Sequence, residues 1–276
     1  MVDSTIGHGG HSFLFGKSLG SEAVLIGLDV DENCLREAKS RLNGLACKVI
    51  LLRSNFSQIT PRLEELGIGR VDFILADLGV CSAQLTDVQM GLSFQTNMPL
   101  DMRFDKSLKT TAADIVNKAD EKSLADLIYR LGQDRASRRI ARFVAEYRRN
   151  QPITSTAQLA AIVCKATAQP AKNRKSKIHP ATRTFQALRI AVNGEMENLE
   201  KLLDSAPNVL KGTGKIAVIS YHSLEDGLVK NNFKQNQKKG LYRIITKKPI
   251  VPGRREIADN PRARSAKLRI AEKIAG

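Results

Sequence analysis

Ala23-Val24-Leu25-Ile26-Gly27-Leu28-Asp29, read with the turn Gly7-His8-Gly9-Gly10-His11 before it, decides the fold. The first segment is a short apolar run that stops at an acid. The second is a glycine-rich turn placed before a helix. Two further runs of the same kind follow, Lys48-Val49-Ile50-Leu51-Leu52 and Val71-Asp72-Phe73-Ile74-Leu75-Ala76, the latter stopping at Asp77. Residues 33–43 and 58–66 between them have helical composition and run up to Gly44 and Gly67. Continuously apolar strands separated by helices predict a mostly parallel sheet covered on both faces, an α/β fold.

The pattern changes after Asp105. No strand signal occurs from about 110 to 168. Thr111 resembles a helix start, and Glu121–Leu131 and Asp134–Arg149 have helical periodicity, the second with a basic face of Arg135, Arg138, Arg139 and Arg142. Pro152 breaks the chain, and Ser155 is placed to cap a helix running through Thr167. Residues 169–178 read as a polar, lysine-rich linker. Strand character returns at Lys215–Ser220, with a helix at about 224–235, and 242–246 and 265–271 are expected as closing edge strands. The expected organisation is a discontinuous core, 1–105 and 180–276, interrupted by an all-helical insert, 106–179.

Charge sharpens this division. The 276 residues carry a net charge of +16. Residues 1–100 hold 8 basic and 11 acidic side chains, while residues 101–276 hold 36 and 17, so the excess lies entirely in the later part. A polyanionic partner explains such a split, because each Lys or Arg placed on a phosphate releases counterions. Nucleic acid is the first candidate and an anionic membrane surface the second, but no basic amphipathic anchor stands out. No apolar run approaches the ~18 residues of a membrane helix. The opening residues lack the basic-then-apolar layout of a signal peptide. Cys34, Cys47, Cys81 and Cys164 form no C-x-x-C pair and have no His at ligand spacing, so four small buried thiols in a reducing compartment are expected, with no disulfide framework and no metal.

Several segments are chemically dense. The glycine turn with Asp29 nineteen residues after Gly10 is the layout of nucleotide-type cofactor binding: glycines let backbone approach a ligand, and a strand-end acid accepts from ribose hydroxyls. It is not G-x-G-x-x-G, which weakens a dinucleotide reading. Asp77 ends the third strand, where an open parallel sheet gathers ligands. Ile178–Arg189 places Arg, aromatic and amide groups at a helix start, which suits phosphate and base contact, and Asn260–Arg269 carries four cations in eight residues, which suit either such contact or a solvated basic edge strand. In Ser220–Asp226 no serine-hydrolase elbow is present, and Ser223 capping a helix with Asp226 at its third position is the simpler reading.

These residues resemble the bacterial methyltransferases that act on the N4 amine of a cytosine in 16S ribosomal RNA. The matching segments are Asp3–Ser12, Gly27–Asp31, Asp77–Leu85, Gly91–Phe94 with Pro99–Arg103, His179–Arg189, Ser220–Asp226 and Asn260–Ser265, in family order over nearly the whole chain. The resemblance implies a Rossmann-like class I methyltransferase core with a helical domain on the RNA side, S-adenosylmethionine as cofactor, no metal, cytoplasmic location, and the small ribosomal subunit, assembled or nearly so, as partner. It carries cofactor contacts onto Gly9, Gly10, His11, Asp29, Phe56, Asp77 and Gln84, and leaves Arg103, Arg183, Arg189, Arg262 and Arg264 as RNA-side candidates. Asp77 is also the candidate acceptor for the target amine.

The chain departs from the family pattern at Ser4, Cys81, Ala83, Asn97, Met98 and Gly227, and in Gly132-Gln133-Asp134-Arg135. Only Met1 and Val2 precede Asp3, so the first strand is expected to be missing and the centre of the sheet exposed. Two other readings remain open: a non-catalytic RNA-binding or ribosome-assembly relative, and an NAD-type oxidoreductase.

Overall fold

Short apolar runs do become the parallel strands. In the structure, a computed structural model describing residues 1–81, 84, 87, 89–168 and 179–275, seven strands form one sheet. They are β1 (Val2–Asp3), β2 (Val24–Asp29), β3 (Lys48–Arg53), β4 (Val71–Asp77), β5 (Leu210–Ser220), β6 (Tyr242–Ile244) and β7 (Lys267–Lys273), in the order β3-β2-β1-β4-β5-β7-β6. The first five are parallel, and β7 runs antiparallel to β5 and β6. Strand order reverses between β1 and β4, which puts the ligand-gathering crevice of an open α/β sheet beside the ends of those two strands.

The expected gap at the sheet centre is filled. Val2 and Asp3 pair with Ile26 and Gly27 on one side and with Ile74 and Leu75 on the other. The Met1 amine donates to the Val24 carbonyl at 2.7 Å, and Val2 is fully buried.

One face of the sheet packs Val2, Ile26, Leu28, Ile74 and Ile216 against helices carrying Ile59, Leu63, Leu199, Leu203 and Phe233; the other packs Ile6, Leu25, Ala38 and Leu42. The helix Glu195–Val209, which supplies Leu199 and Leu203, went unread in the sequence. The expected edge strand at 265–271 is instead β7, interior between β5 and β6; residues 261–265 form a 3₁₀ turn before it. Its place is fixed by Arg269, which is buried and donates to Asp226 at 2.7 Å.

Residues Met1–Gly79 with Met196–Gly276 form one unit and Val80–Glu195 another. The second unit is wider than the expected 106–179. Helix Thr182–Asn193 belongs to it because Phe185, Leu188 and Val192 enter its core, beside Leu100, Met102, Leu124, Ile140 and Leu159. Its helices begin where the sequence put caps: Thr111 with Asp114, and Ser155 with Gln158, each form a reciprocal capping box. The 169–178 linker lies outside the described residues, as do Ser82, Ala83 and Leu85. Among the described residues no helix is long and apolar enough to cross a membrane. Cys34 and Cys47 are buried as expected, whereas Cys81 and Cys164 are partly exposed.

Candidate active site

Three acids end adjacent parallel strands: Asp29 on β2, Asp3 on β1 and Asp77 on β4. The peptide after β1 folds back over them. Gly9 takes φ +74, a left-handed value that glycine adopts without a Cβ penalty, and caps the helix α1 (Gly10–Gly16). This turn is held from below: Gly7 N–H donates to Asp29 Oδ2 at 2.9 Å, and Asp31 N–H to Asp29 Oδ1 at 2.9 Å. Burial pushes the Asp29 carboxyl up, against those two hydrogen bonds. Each oxygen retains a lone pair for a further donor.

Asp3 is buried and was no more than one residue of a matching segment in the sequence. It accepts from Ser12 Oγ at 2.6 Å and from Thr5 N–H at 3.3 Å, tying α1 to the strand end. Burial pushes its carboxyl up to about 6, with the Ser12 and Thr5 hydrogen bonds opposing. The native state therefore binds this proton more tightly than the unfolded chain. Its contribution to stability is fully present below the ordinary aspartate value and is lost as pH rises through about 6. A separation of roughly two pKa units corresponds to about 3 kcal/mol. Urea midpoints are expected to show the wild-type margin over Asp3→Asn shrinking by that order between about pH 4 and pH 7. A margin independent of pH would contradict this.

Asp77 is the most connected of the three. Its own N–H donates to Thr5 Oγ1 at 2.6 Å. Tyr221 Oη donates to Oδ1 at 2.9 Å, and His11 Nε2 lies 3.3 Å from Oδ2. The side chains of His11 and Asp77 are 49% and 26% exposed, so the pair opens to solvent from the His11 side. The Asp77 hydrogen bond holds the His11 proton above the usual imidazole value, outweighing desolvation. Burial and the Asp77 charge push the Tyr221 phenol up, so it remains a donor. Tyr221 was not singled out in the sequence, although it follows β5 at the same sheet edge and the strand-end rule that found Asp77 applies to it.

The helix after Tyr221 starts one position earlier than expected. His222, not Ser223, is the cap, with Glu225 as its partner. Glu225 Oε2 accepts from the N–H groups of Tyr221 and His222 at 2.8 and 3.2 Å, which fixes the backbone carrying Tyr221. Asp226 is free of capping because it holds Arg269 and Lys267. Phe56 is half-buried just beyond β3, on a turn capped by Asn55.

Gly9, Gly10, His11, Asp29, Phe56 and Asp77 thus share the carboxyl edge of the sheet. Gln84 belongs to the second unit, where it is buried and its Oε1 accepts from Cys81 N–H at 3.0 Å.

The arginines sort differently. Arg103 grips Asp101 through two hydrogen bonds of 2.7 and 2.9 Å and donates to the Leu108 carbonyl at 2.6 Å. Although burial pushes Asp101 up, bonds from Arg103 and Lys106 pull it down to about 2. Arg189 is likewise clamped on Glu195 at 2.8 and 2.9 Å. Both guanidiniums are thus held by acids of the same unit. Arg183, Arg262 and Arg264 are exposed. So are Arg135, Arg138, Arg139 and Arg142, the last two flanking the half-buried Phe143 ring at 5.8 Å each.

The family model described as the MraW methylase family matches residues 1–274. Proteins named ribosomal RNA small subunit methyltransferase H from Acidobacterium capsulatum, Syntrophobacter fumaroxidans and Clostridioides difficile are 46%, 44% and 42% identical, each over 99% of this chain and over 91%, 89% and 92% of their own lengths. With the match running through every strand of the sheet and both of its units, the chain belongs to the MraW methylase family.

Proposed function

We propose that this chain transfers the methyl group of S-adenosylmethionine to the exocyclic N4 amine of a cytosine in small-subunit ribosomal RNA. The observation that carries the reading is the Asp77 carboxylate, fixed by Tyr221 and His11 on the sheet edge that also presents Asp29 and the glycine turn. The donor set suits the methyl donor: Asp29 has acceptor capacity for a ribose diol, Gly9 and Gly10 put no side chain in the way, and the Phe56 ring offers an apolar face for adenine. Gln84 is the remaining proposed contact. When bound, S-adenosylmethionine supplies a methyl group already activated on a sulfonium.

The protein then has to align and to accept a proton. The cytosine amine is a weak nucleophile because its lone pair is delocalised into the ring. Fixed alignment is worth roughly 7–11 kcal/mol. An acceptor on the amine offsets the positive charge that develops on nitrogen. Asp77 fills that role, its orientation held by the Tyr221 hydroxyl. The cytosine must be unstacked to reach it.

The helical unit and the 3₁₀ turn bearing Arg262 and Arg264 are proposed to hold the surrounding RNA. Residues 80–195 carry 19 basic and 10 acidic side chains. Replacing Arg138, Arg139 and Arg142 with Gln is expected to lower the slope of log affinity against log salt by about 2, at roughly 0.7 for each single-strand phosphate no longer neutralised. Filter binding to ribosomal RNA across a salt series checks this; an unchanged slope removes this face from the interface.

The deciding experiment is methyl transfer from radiolabelled S-adenosylmethionine to small subunits taken from a strain lacking this modification. Label at a cytosine N4 is expected. No incorporation by the folded full chain would support the non-catalytic RNA-binding reading.

A further inference from the structure

The carboxyl edge of the sheet contains more than an acceptor. Once the bond from N4 to carbon forms and the sulfur–carbon bond breaks, with its electron pair left on sulfur, the nitrogen carries one proton too many. Asp77 is a poor final store for it. A second turnover needs the carboxylate back, and the side chain is only 26% exposed. The hydroxyl of Tyr221 occupies Oδ1 as a donor and cannot take the proton. Oδ2 faces a single imidazole nitrogen, His11 Nε2, at 3.3 Å, and that imidazole is half in solvent.

We propose that His11 is the proton exit of the methyl-transfer reaction and that Tyr221 is the positioning residue that aims Asp77 at it. The N4 proton passes to Asp77 Oδ2. Asp77 returns to a carboxylate by handing that proton to Nε2 of His11 in its neutral Nδ1–H tautomer, and the resulting imidazolium loses a proton to water. Charge and atoms balance at each transfer, and no further reactant is needed. This rests on Asp77 being the amine acceptor.

The charges of Asp77 at the end of β4 and of Asp3 at the end of β1 favour a proton on His11, against the desolvation of the imidazole, and Glu225 adds negative charge beside Tyr221. The relay therefore works only above the pH at which His11 is released from its proton, and turnover falls on the acid side of that value. The Asp77 hydrogen bond raises the His11 proton affinity and so shifts the acid limb upward from the ordinary histidine value.

The test is the pH profile of kcat for methyl transfer to small subunits, with S-adenosylmethionine affinity measured by calorimetry on the same samples. The unaltered chain must first transfer methyl groups; if it does not, the functional reading fails before the relay is in question. His11→Asn is expected to lower kcat at neutral pH by about 10²-fold, in line with loss of a proton-transfer group, and to erase the acid limb. Added imidazole is expected to restore part of the rate to His11→Ala. Should the His11 variants lose the methyl donor, Tyr221→Phe decides, because it lies outside the glycine turn. Without the hydroxyl more negative charge stays on the oxygen facing His11, so the acid limb moves to higher pH while KM for the subunit is unchanged. Wild-type kcat in Tyr221→Phe with an unmoved acid limb overturns the proposal, as does His11→Asn that binds the donor and retains the limb.

Discussion

Asp77→Asn is expected to reduce kcat for methyl transfer by about 10²–10⁴-fold, the range for losing a positioned proton acceptor. The substitution is nearly isosteric. The amide oxygen continues to accept from Tyr221 Oη, as the 2.9 Å contact requires, so the amide nitrogen faces His11 in place of Oδ2. That nitrogen has no lone pair for the N4 proton. The loss is therefore expected in kcat. The backbone bond from Asp77 N–H to Thr5 Oγ1 is untouched and keeps the strand end in place. Steady-state assays on small subunits, with calorimetry against S-adenosylmethionine, separate the two quantities. A variant within about threefold of the wild-type kcat means that the amine proton leaves without the carboxylate, and the mechanism above is wrong.

The largest expected effect on stability is in the helical unit. Gly132 ends the helix Glu121–Gly132 where it crosses Thr182–Asn193, and a Cβ there would lie 2.4 Å from the Arg183 carbonyl oxygen and 3.2 Å from Ala187 Cβ. The obstacle is backbone in a packed helix and cannot swing away. Gly132→Val is expected to cost at least about 3 kcal/mol, the upper range for overpacking, and to weaken RNA binding with it, since Arg183 donates to the Gln133 carbonyl across the same contact. Gly227 is the contrast. It lies inside the helix Ser223–Lys238 with open space where a Cβ would go. Gly227→Ala is expected to stabilise by up to about 1 kcal/mol, the propensity difference in a helix interior. Urea unfolding of both variants checks the pair. Equal effects would show that neither the helix crossing nor helix propensity governs these sites.

The parallel strands were legible because burial on both faces demands continuous apolar runs, which Leu25–Leu28 and Phe73–Ala76 supply. The helix starts were legible because caps are local, as at Thr111 and Ser155. Asp29 and Asp77 followed from one rule about strand ends. Two residues at the sheet centre were misread as a gap, since Val2–Asp3 is too short to leave a periodic signal and is a strand only because β2 and β4 lie on either side of it. Helix Glu195–Val209 was missed in a stretch given no reading, and β7 was taken for an edge because strand order in the sheet, β5-β7-β6, does not follow chain order.

The amino-acid order by itself determined the α/β class, the family and two of the acids that end strands, Asp29 and Asp77, all of which are written in local composition or in contiguous motifs. What only tertiary structure decided is which polar groups pair: Arg103 with Asp101, Arg189 with Glu195 and Arg269 with Asp226, and Tyr221 and His11 converging on Asp77 across 144 and 66 positions of chain. A charge shows in the sequence wherever it occurs. Its partner is set by the path of the backbone through space, and that path exists only once the sheet has closed around its buried faces.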